Sequence, residues 1–279
     1  MTAVHPPRGA VQEAVTRALD EDLLPYGDLT ASLLDPAAPG RVALVSRADG
    51  VMAGRLCADE AFTQVDSSIE VTWQADDGDR VSAGSVLATV DGPLASILTA
   101  ERTALNFLCH LSGIATLTAR YVAAAGGRAT ILDTRKTTPG LRALEKAAVR
   151  AGGGRNHRGS LSEFVLVKDN HLGGTSITDA VKRAQAAWPA RMVEVECDRL
   201  AQVEEAVAAG ADIVMLDNMT PDDVATCVGA VDGECFVEVS GGVNLDTVGA
   251  LAAAGPDFIS VGALTHSAPV LDIGLDLRA

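Results

Sequence analysis

The chain has 279 residues, 48% apolar and only 3% aromatic, enough for one large domain or two modest ones with a core of Ala, Val, Leu and Ile. Its formal net charge of −15 argues against a nucleic-acid partner, which needs a basic face, and favours a soluble, self-repelling particle. No apolar run reaches membrane-span length, the N-terminal stretch lacks the apolar core of a secretory signal, and the five cysteines show no C-x-x-C pair; the expectation is a cytoplasmic protein with neither disulfides nor a zinc site.

In chain order, residues 10–19 read as an amphipathic helix, followed by the turn-rich PYGDLT segment. Strands are predicted at 42–47 and 69–73, and the alternating, glycine-punctuated stretch 78–92 reads as a β hairpin or small β sandwich. That stretch has the texture of a biotinyl or lipoyl module, but no Lys lies between Arg80 and Arg102 to carry the group. A long helix is predicted from about Ile97 to Ala125, with Gly113 as a candidate interruption. Beyond it, short apolar runs at 129–132, 164–167, 192–195, 213–216, 235–239 and 258–261 alternate with helical patterns at 141–151, 177–188, 200–209, 222–231 and 245–254. This rhythm is that of βα units on a parallel sheet, and it favours an open or truncated β/α barrel.

Barrel chemistry sits at the carboxyl ends of the strands. Here those ends read Asp133-Thr134-Arg135-Lys136, Lys168-Asp169-Asn170-His171, Glu194 and Glu196, Asp217-Asn218, Ser240-Gly241-Gly242, and Gly262-Ala263. Between Arg128 and Lys168 nine Lys/Arg face three acids, a local excess of +6 in a chain of net −15. Arg forks match carboxylate and phosphate geometry, so Arg135, Lys136 and Lys168 at strand ends point to a strongly anionic small substrate. Arg142, Lys146 and Arg150, spaced along one helix, read instead as a mostly solvated basic face. The two glycine-bearing loops at the last strand ends suit a phosphate, with a helix N-terminus behind it. Glu196 and Asp217 suit ribose hydroxyls or Mg²⁺.

Together these residues resemble the nicotinate-nucleotide pyrophosphorylase (carboxylating), or quinolinate phosphoribosyltransferase, family. The similarity runs through ALDEDLLPYGDLT at 18–30, AERTALNFLCHLSGIAT at 100–116, DTRKTTPGLRALEKAAVRAGGGRNHR at 133–158, VKDNH at 167–171, VEVE at 193–196, MLDNM at 215–219, VEVSGG at 237–242 and SVGALTHS at 260–267. The resemblance implies an N-terminal α/β sandwich domain, residues 1–112, followed by an open, roughly seven-stranded α/β barrel at 113–266, with 267–279 packing back onto the first domain. It implies transfer of phosphoribosyl from phosphoribosyl pyrophosphate to quinolinate with decarboxylation, giving nicotinate mononucleotide, pyrophosphate and CO₂, with Mg²⁺ and in a homodimer.

By the same resemblance, Thr134, Arg135, His157, Arg158 and Lys168 hold quinolinate, joined by Arg102 from the partner subunit. Lys136, Lys168, Glu196 and Asp217 carry the catalytic roles. Lys136, Glu196, Asp217, Ser240, Gly241, Gly242, Val261, Gly262 and Ala263 take the phosphoribosyl group, and Glu196 and Asp217 take the metal, partly through water. One departure is the segment GSLSEF at 159–164, where relatives more often read LGLGD or MGLYD, which puts the conformation of that loop in doubt. Competing readings are a Schiff-base barrel lyase using Lys168, a paralogous pyrophosphorylase-like protein of metal-transport clusters, and a non-catalytic phosphosugar binder.

Overall fold

A computed structural model describes residues 4–277. In chain order its elements are α1 (Arg8–Leu23), β1 (Pro39–Ser46), β2 (Gly50–Val51), α2 (Arg55–Val65), β3 (Glu70–Trp73), β4 (Arg80–Val81), β5 (Val86–Pro93) and α3 (Leu94–Ala125). Then come β6 (Thr130–Leu132), α4 (Arg142–Ala151), β7 (Val165–Val167), α5 (Asp169–Leu172), α6 (Ile177–Ala187), β8 (Val193–Cys197) and α7 (Leu200–Ala209). The last are β9 (Ile213–Asp217), α8 (Pro221–Val231), β10 (Phe236–Ser240), α9 (Val248–Ala253), β11 (Phe258–Ser260), α10 (Ala263–His266) and β12 (Ile273–Leu277).

The described residues form two compact units. The first combines the chain up to Ala119 with Thr137–Gly153 and the residues from Ala263 on; the second combines Arg120–Lys136 with Gly154–Gly262. The sequence-drawn domains, 1–112 and 113–266 with 267–279 returning to the first, differ from these compact units chiefly in that Thr137–Gly153, with helix α4, belongs with the first unit.

The first unit carries a sheet of order β12-β1-β5-β3, with β1 antiparallel to both β12 and β5. The 78–92 stretch is not a hairpin. β4 pairs with β2, and β5 lies between β1 and β3. The turn between β4 and β5 explains this: Gly84 N–H donates to Ser46 O at 2.8 Å and Ser46 N–H donates to Ser85 O at 3.0 Å, so the bonds that would close a hairpin go to the end of β1. Nor does Gly113 interrupt α3, which is continuous. A Cβ at Gly113 would lie 2.2 Å from the carbonyl oxygen of Pro269, so its glycine serves a close backbone approach. Helix α2 left little trace in the sequence because its buried side is small, Cys57, Ala58, Ala61 and Phe62.

Helix α4 also departs from expectation. Glu145 and Lys146 are both buried, at 0% and 6% exposure, in the middle of a run from Leu144 to Val149. Glu145 accepts from His110 Nε2 at 2.9 Å and from the Thr138 N–H at 3.1 Å. Arg142 donates to Thr137 Oγ1 at 3.0 Å, and Arg150 donates to the carbonyls of Val4 and His5. Arg142 and Arg150 are half-buried and Lys146 is buried, so the three do not form a solvated face.

The second unit is one parallel sheet of order β6-β11-β10-β9-β8-β7, its strands alternating with helices. All six predicted strands are present within a residue or two. Arg155 adds a one-residue parallel bridge to Leu132 on the far edge of β6, so seven parallel segments line up. No pairing joins that edge to β7 among the described residues, which leaves the barrel open. Strand interiors are apolar and buried, as parallel strands covered by helices must be.

Candidate active site

Side chains alternate along a strand, so Leu166 and Lys168, Glu194 and Glu196, Met215 and Asp217, and Glu238 and Ser240 project from one face of their strands. In the second unit this face opens into a cavity of about 270 Å³. Thr134, Arg135, Lys136, His157, Arg158, Lys168 and Ser240 line it, with Leu166, Met215, Glu238 and Ser260. Seven residues singled out from the sequence are thus brought together.

Their positions have local causes. Asp133, fully buried at the end of β6, accepts from Asn156 Nδ2 at 2.5 Å and from the His157 N–H at 3.0 Å, which ties the loop bearing His157 and Arg158 to the strand bearing Arg135. The Lys136 N–H donates to Thr134 Oγ1 at 3.0 Å. Phe164 packs edge-on to His157, with ring centroids 5.1 Å apart, and lies under the Arg158 guanidinium at 5.6 Å. Arg158 also donates to the Phe164 carbonyl at 3.2 Å. Burial and the neighbouring Arg135 charge lower the Arg158 pKa. The unusual 159–164 loop is closed on itself by Glu163, whose carboxylate accepts from the Gly159 N–H at 2.9 Å.

Lys168 is the N-cap of the short helix α5, and its backbone N–H donates to His171 Nδ1 at 3.0 Å. That bond explains the spacing of Lys-Asp-Asn-His: the histidine returns to fix the turn that presents the lysine. The Lys168 ammonium pairs with Glu196 at the end of β8. Asp217, level with Ser240 in the sheet, accepts from Asn218 Nδ2 at 2.8 Å. Gly241 has φ +85°, and a Cβ there would fall 2.4 Å from Asn218 Oδ1 and 2.8 Å from Asp217 Oδ1; only glycine fits this turn. The sequence reading placed a helix N-terminus behind each glycine loop. α10 does open directly after Gly262, at Ala263, but α9 begins only at Val248, well past Gly242. Val261 is buried and donates its N–H to the Leu132 carbonyl at 2.9 Å. Arg102 is an exposed residue of α3, and Arg102 and Ala263 both belong to the first unit.

Three groups carry more than the sequence assigned them. Glu194 and Glu238 are fully buried. His157 Nε2 lies 3.2 Å from Glu194 Oε2 and 3.4 Å from Glu238 Oε2, and Ser260 Oγ donates to Glu238 Oε1. Burial, and for Glu238 also the charge of Glu194, pushes both carboxyl pKa values well above the usual range. Alternation along β8 marks Glu194 as inward-facing, but nothing in the sequence separates a buried glutamate from an exposed one. The same three ligating atoms lie within 4.8 Å of one another, close enough to hold an ion. Arg158 and Lys168 act electrostatically on Glu194, however, and a cationic neighbourhood disfavours a divalent ion there. Glu196 and Asp217, hard carboxylates only partly buried at adjacent strand ends, better suit a cation that keeps most of its shell for water and substrate oxygens.

Comparison with known proteins decides what such a site belongs to. Residues 28–112 match the profile of the quinolinate phosphoribosyl transferase N-terminal domain, and residues 114–276 match that of its C-terminal domain. The chain belongs to the quinolinate phosphoribosyltransferase family. It is 44% identical to the nicotinate-nucleotide pyrophosphorylase [carboxylating] of Mycobacterium leprae, over 96% of this chain and 97% of that one. It is 41% identical to a probable enzyme of the same name from Bacillus subtilis, over 90% and 88% of the two chains. The structure of the nicotinate-nucleotide pyrophosphorylase from Francisella tularensis superposes with a TM-score of 0.94 at 39% identity, covering 98% of each chain. A quinolinate phosphoribosyltransferase is a decarboxylating enzyme of NAD biosynthesis, and this chain is an enzyme of that type.

Proposed function

We propose that the chain runs its family's reaction in the cavity at the strand ends of the second unit: quinolinate and phosphoribosyl pyrophosphate give nicotinate mononucleotide, pyrophosphate and CO₂. The observation that carries the assignment of roles is the convergence of Arg135, Lys136, His157, Arg158 and Lys168 on one small cavity in a chain of net charge −15. Quinolinate is a pyridine bearing two adjacent carboxylates, and such a cluster matches it. Arg135, His157 and Arg158, with Thr134 and Lys168, clamp the carboxylates; each charge-assisted bond adds roughly 1.5–3 kcal/mol. Lys136 and Lys168 face the phosphoribosyl donor. Ser240, Gly241 and Gly242, with Val261 and Gly262, take its 5′-phosphate.

The pyridine nitrogen attacks C1 of the ribose as pyrophosphate leaves, and charge develops on both the leaving group and an oxocarbenium-like ribose. Fixed cations and carboxylates aimed at those charges supply the catalysis. The resulting pyridinium withdraws electrons from the bond to the 2-carboxylate, so CO₂ departs and C2 takes a proton. No protein nucleophile is required. Lys168 Nζ is engaged by Glu196 rather than standing in an apolar slot, which speaks against a Schiff-base lyase. Glu196 and Asp217 hold the ribose hydroxyls and, partly through water, Mg²⁺, which supplies neutralisation of the pyrophosphate charge when bound.

The working unit is a homodimer in which Arg102 completes the partner subunit's clamp. Supporting it, the segment after α1 exposes four large apolar side chains within ten residues, Leu24, Tyr26, Leu29 and Leu33, at 69%, 83%, 68% and 84%. The place of action is the cytoplasm: no described helix is long and apolar enough to cross a membrane, and all five cysteines are free thiols. The deciding assay offers phosphoribosyl pyrophosphate, Mg²⁺ and either quinolinate or nicotinate. Turnover of quinolinate with CO₂ release is expected; turnover of nicotinate alone would overturn the reading.

A further inference from the structure

Two buried carboxylates at His157, Glu194 and Glu238, have no direct task in the reaction. Glu194 and Glu238 come from strands separated by β9, yet both are buried against the same nitrogen, His157 Nε2. Their remaining capacity is arranged unevenly. Glu238 Oε1 is taken by the Ser260 hydroxyl, whereas Glu194 Oε1 and Glu238 Oε2 accept no hydrogen bond that meets ordinary geometry. A bare buried acceptor costs about 1–3 kcal/mol, and two adjoining carboxylates cost more if both are charged. The His157 Nε2 group, 3.2 Å from Glu194 Oε2 and 3.4 Å from Glu238 Oε2, is the donor placed to relieve that penalty.

We infer that Glu194 and Glu238 are positioning residues for His157: they hold one proton on Nε2, which faces them, and fix the ring so that Nδ1, on its other side, donates to a substrate carboxylate when the ring is the imidazolium. The inference rests on the reading of His157 as part of the quinolinate clamp. A neutral imidazole carries one N–H, and the nitrogen that keeps it is the one facing an acceptor. Here two acceptors face Nε2. The rest of the residue is fixed as well: its backbone N–H donates to Asp133, and Phe164 meets the ring edge-on. Ser260 acts one step further out, since its hydroxyl fixes the carboxyl of Glu238. A second layer that orients a ligating histidine is a recurrent device in metal sites; the same logic applies where the ligand is an anion.

The test labels histidine with ¹⁵N in the full-length protein and reads the ring nitrogens of His157, assigned by its loss in His157→Asn. The wild type is expected to carry a proton on Nε2, as the neutral tautomer or the imidazolium. Glu194→Gln and Glu238→Gln are each expected to raise KM for quinolinate about tenfold while kcat changes less than about threefold, and the double variant to lose the Nε2 preference. Glutamine keeps the volume and removes a buried charge, and a thermal melt reports folding. A wild-type proton on Nδ1 alone overturns the inference; so does a folded double variant with unchanged tautomer and KM. If the double variant does not fold, the singles decide, and unchanged KM in both overturns it. Should the wild type not turn over quinolinate at all, the functional reading fails while the tautomer still judges the positioning.

Discussion

Near the carboxyl ends of the strands lie two sets of carboxylates that differ in everything but chemistry; of the four, only Glu238 is among the residues lining the cavity. At the rim, Glu196 meets the Lys168 ammonium and Asp217 stands beside Asn218, both within reach of solvent. At the floor, Glu194 and Glu238 are sealed off and share a histidine. Glu194 and Glu196 are alternate residues of one strand, on the same face. The difference is one of solvation: a carboxylate open to solvent can meet a substrate or a metal, whereas one stripped of solvent is drawn toward its neutral form and is better used to orient a neighbour.

The sharpest way to break this comparison is at the cations that divide rim from floor. Arg135→Ala and Lys168→Ala are expected to lower kcat/KM by at least ~10³-fold, several charge-assisted bonds at ~1.5–3 kcal/mol each, with the melting temperature little changed. Near-normal steady-state turnover in a folded variant would show that these cations do not carry the site. Next in size are the rim carboxylates: Glu196→Gln and Asp217→Asn should cost about 10²-fold in kcat/KM for phosphoribosyl pyrophosphate, and a Mg²⁺ titration should move to higher concentration. Chelation should abolish turnover of the wild type, and activity persisting in chelator would remove the metal from the reading.

The smallest effect concerns stability. The Glu238 carboxyl is held up to about 8 by burial and by Glu194, against 4.5 unperturbed. A raised carboxyl pKa means that the folded state binds more protons than the unfolded one between those values, so stability is fully present below 4.5 and declines as pH rises toward 8. The melting temperature of wild type should therefore fall between pH 5 and pH 8 (an interval of about 3 pH units set by that shift), and Glu238→Gln should flatten the fall. Equal slopes by calorimetry would place that carboxyl in solvent.

Much of this was legible in the sequence, for physical reasons that also mark where it stops. The six parallel strands were readable because their residues are apolar on both faces, and their carboxyl ends because polar residues follow each run abruptly. Arg135, Lys136 and Lys168 stood out as charge at strand ends in an acidic chain, whereas His157 and the role of Arg158 came only with the family resemblance. The floor did not, since a glutamate inside a Val-Glu-Val run looks the same whether its face is dry or wet. Arg142, Lys146 and Arg150 were misread as a solvated face for a related reason: helical spacing alone cannot tell an exposed polar face from a buried one. Phe164, which packs against both His157 and Arg158, gave no signal beyond an apolar residue before a strand. The separate partners of β4 and β5 depend on where the turn's N–H groups find acceptors, which alternation does not encode.

The return of β12 to β1 has a consequence for handling the protein. β12 is the outermost strand of its sheet and forms the cover of β1, while the residues just before it lie against the one point of α3 where no side chain fits, Gly113. A cut, a bulky fusion or a β-carbon at Gly113 that displaced this strand would leave a long, apolar ladder of unpaired amides along β1, a template on which chains add to one another. Losing β12 would therefore move the edge of the sheet from β12 to the more deeply buried β1.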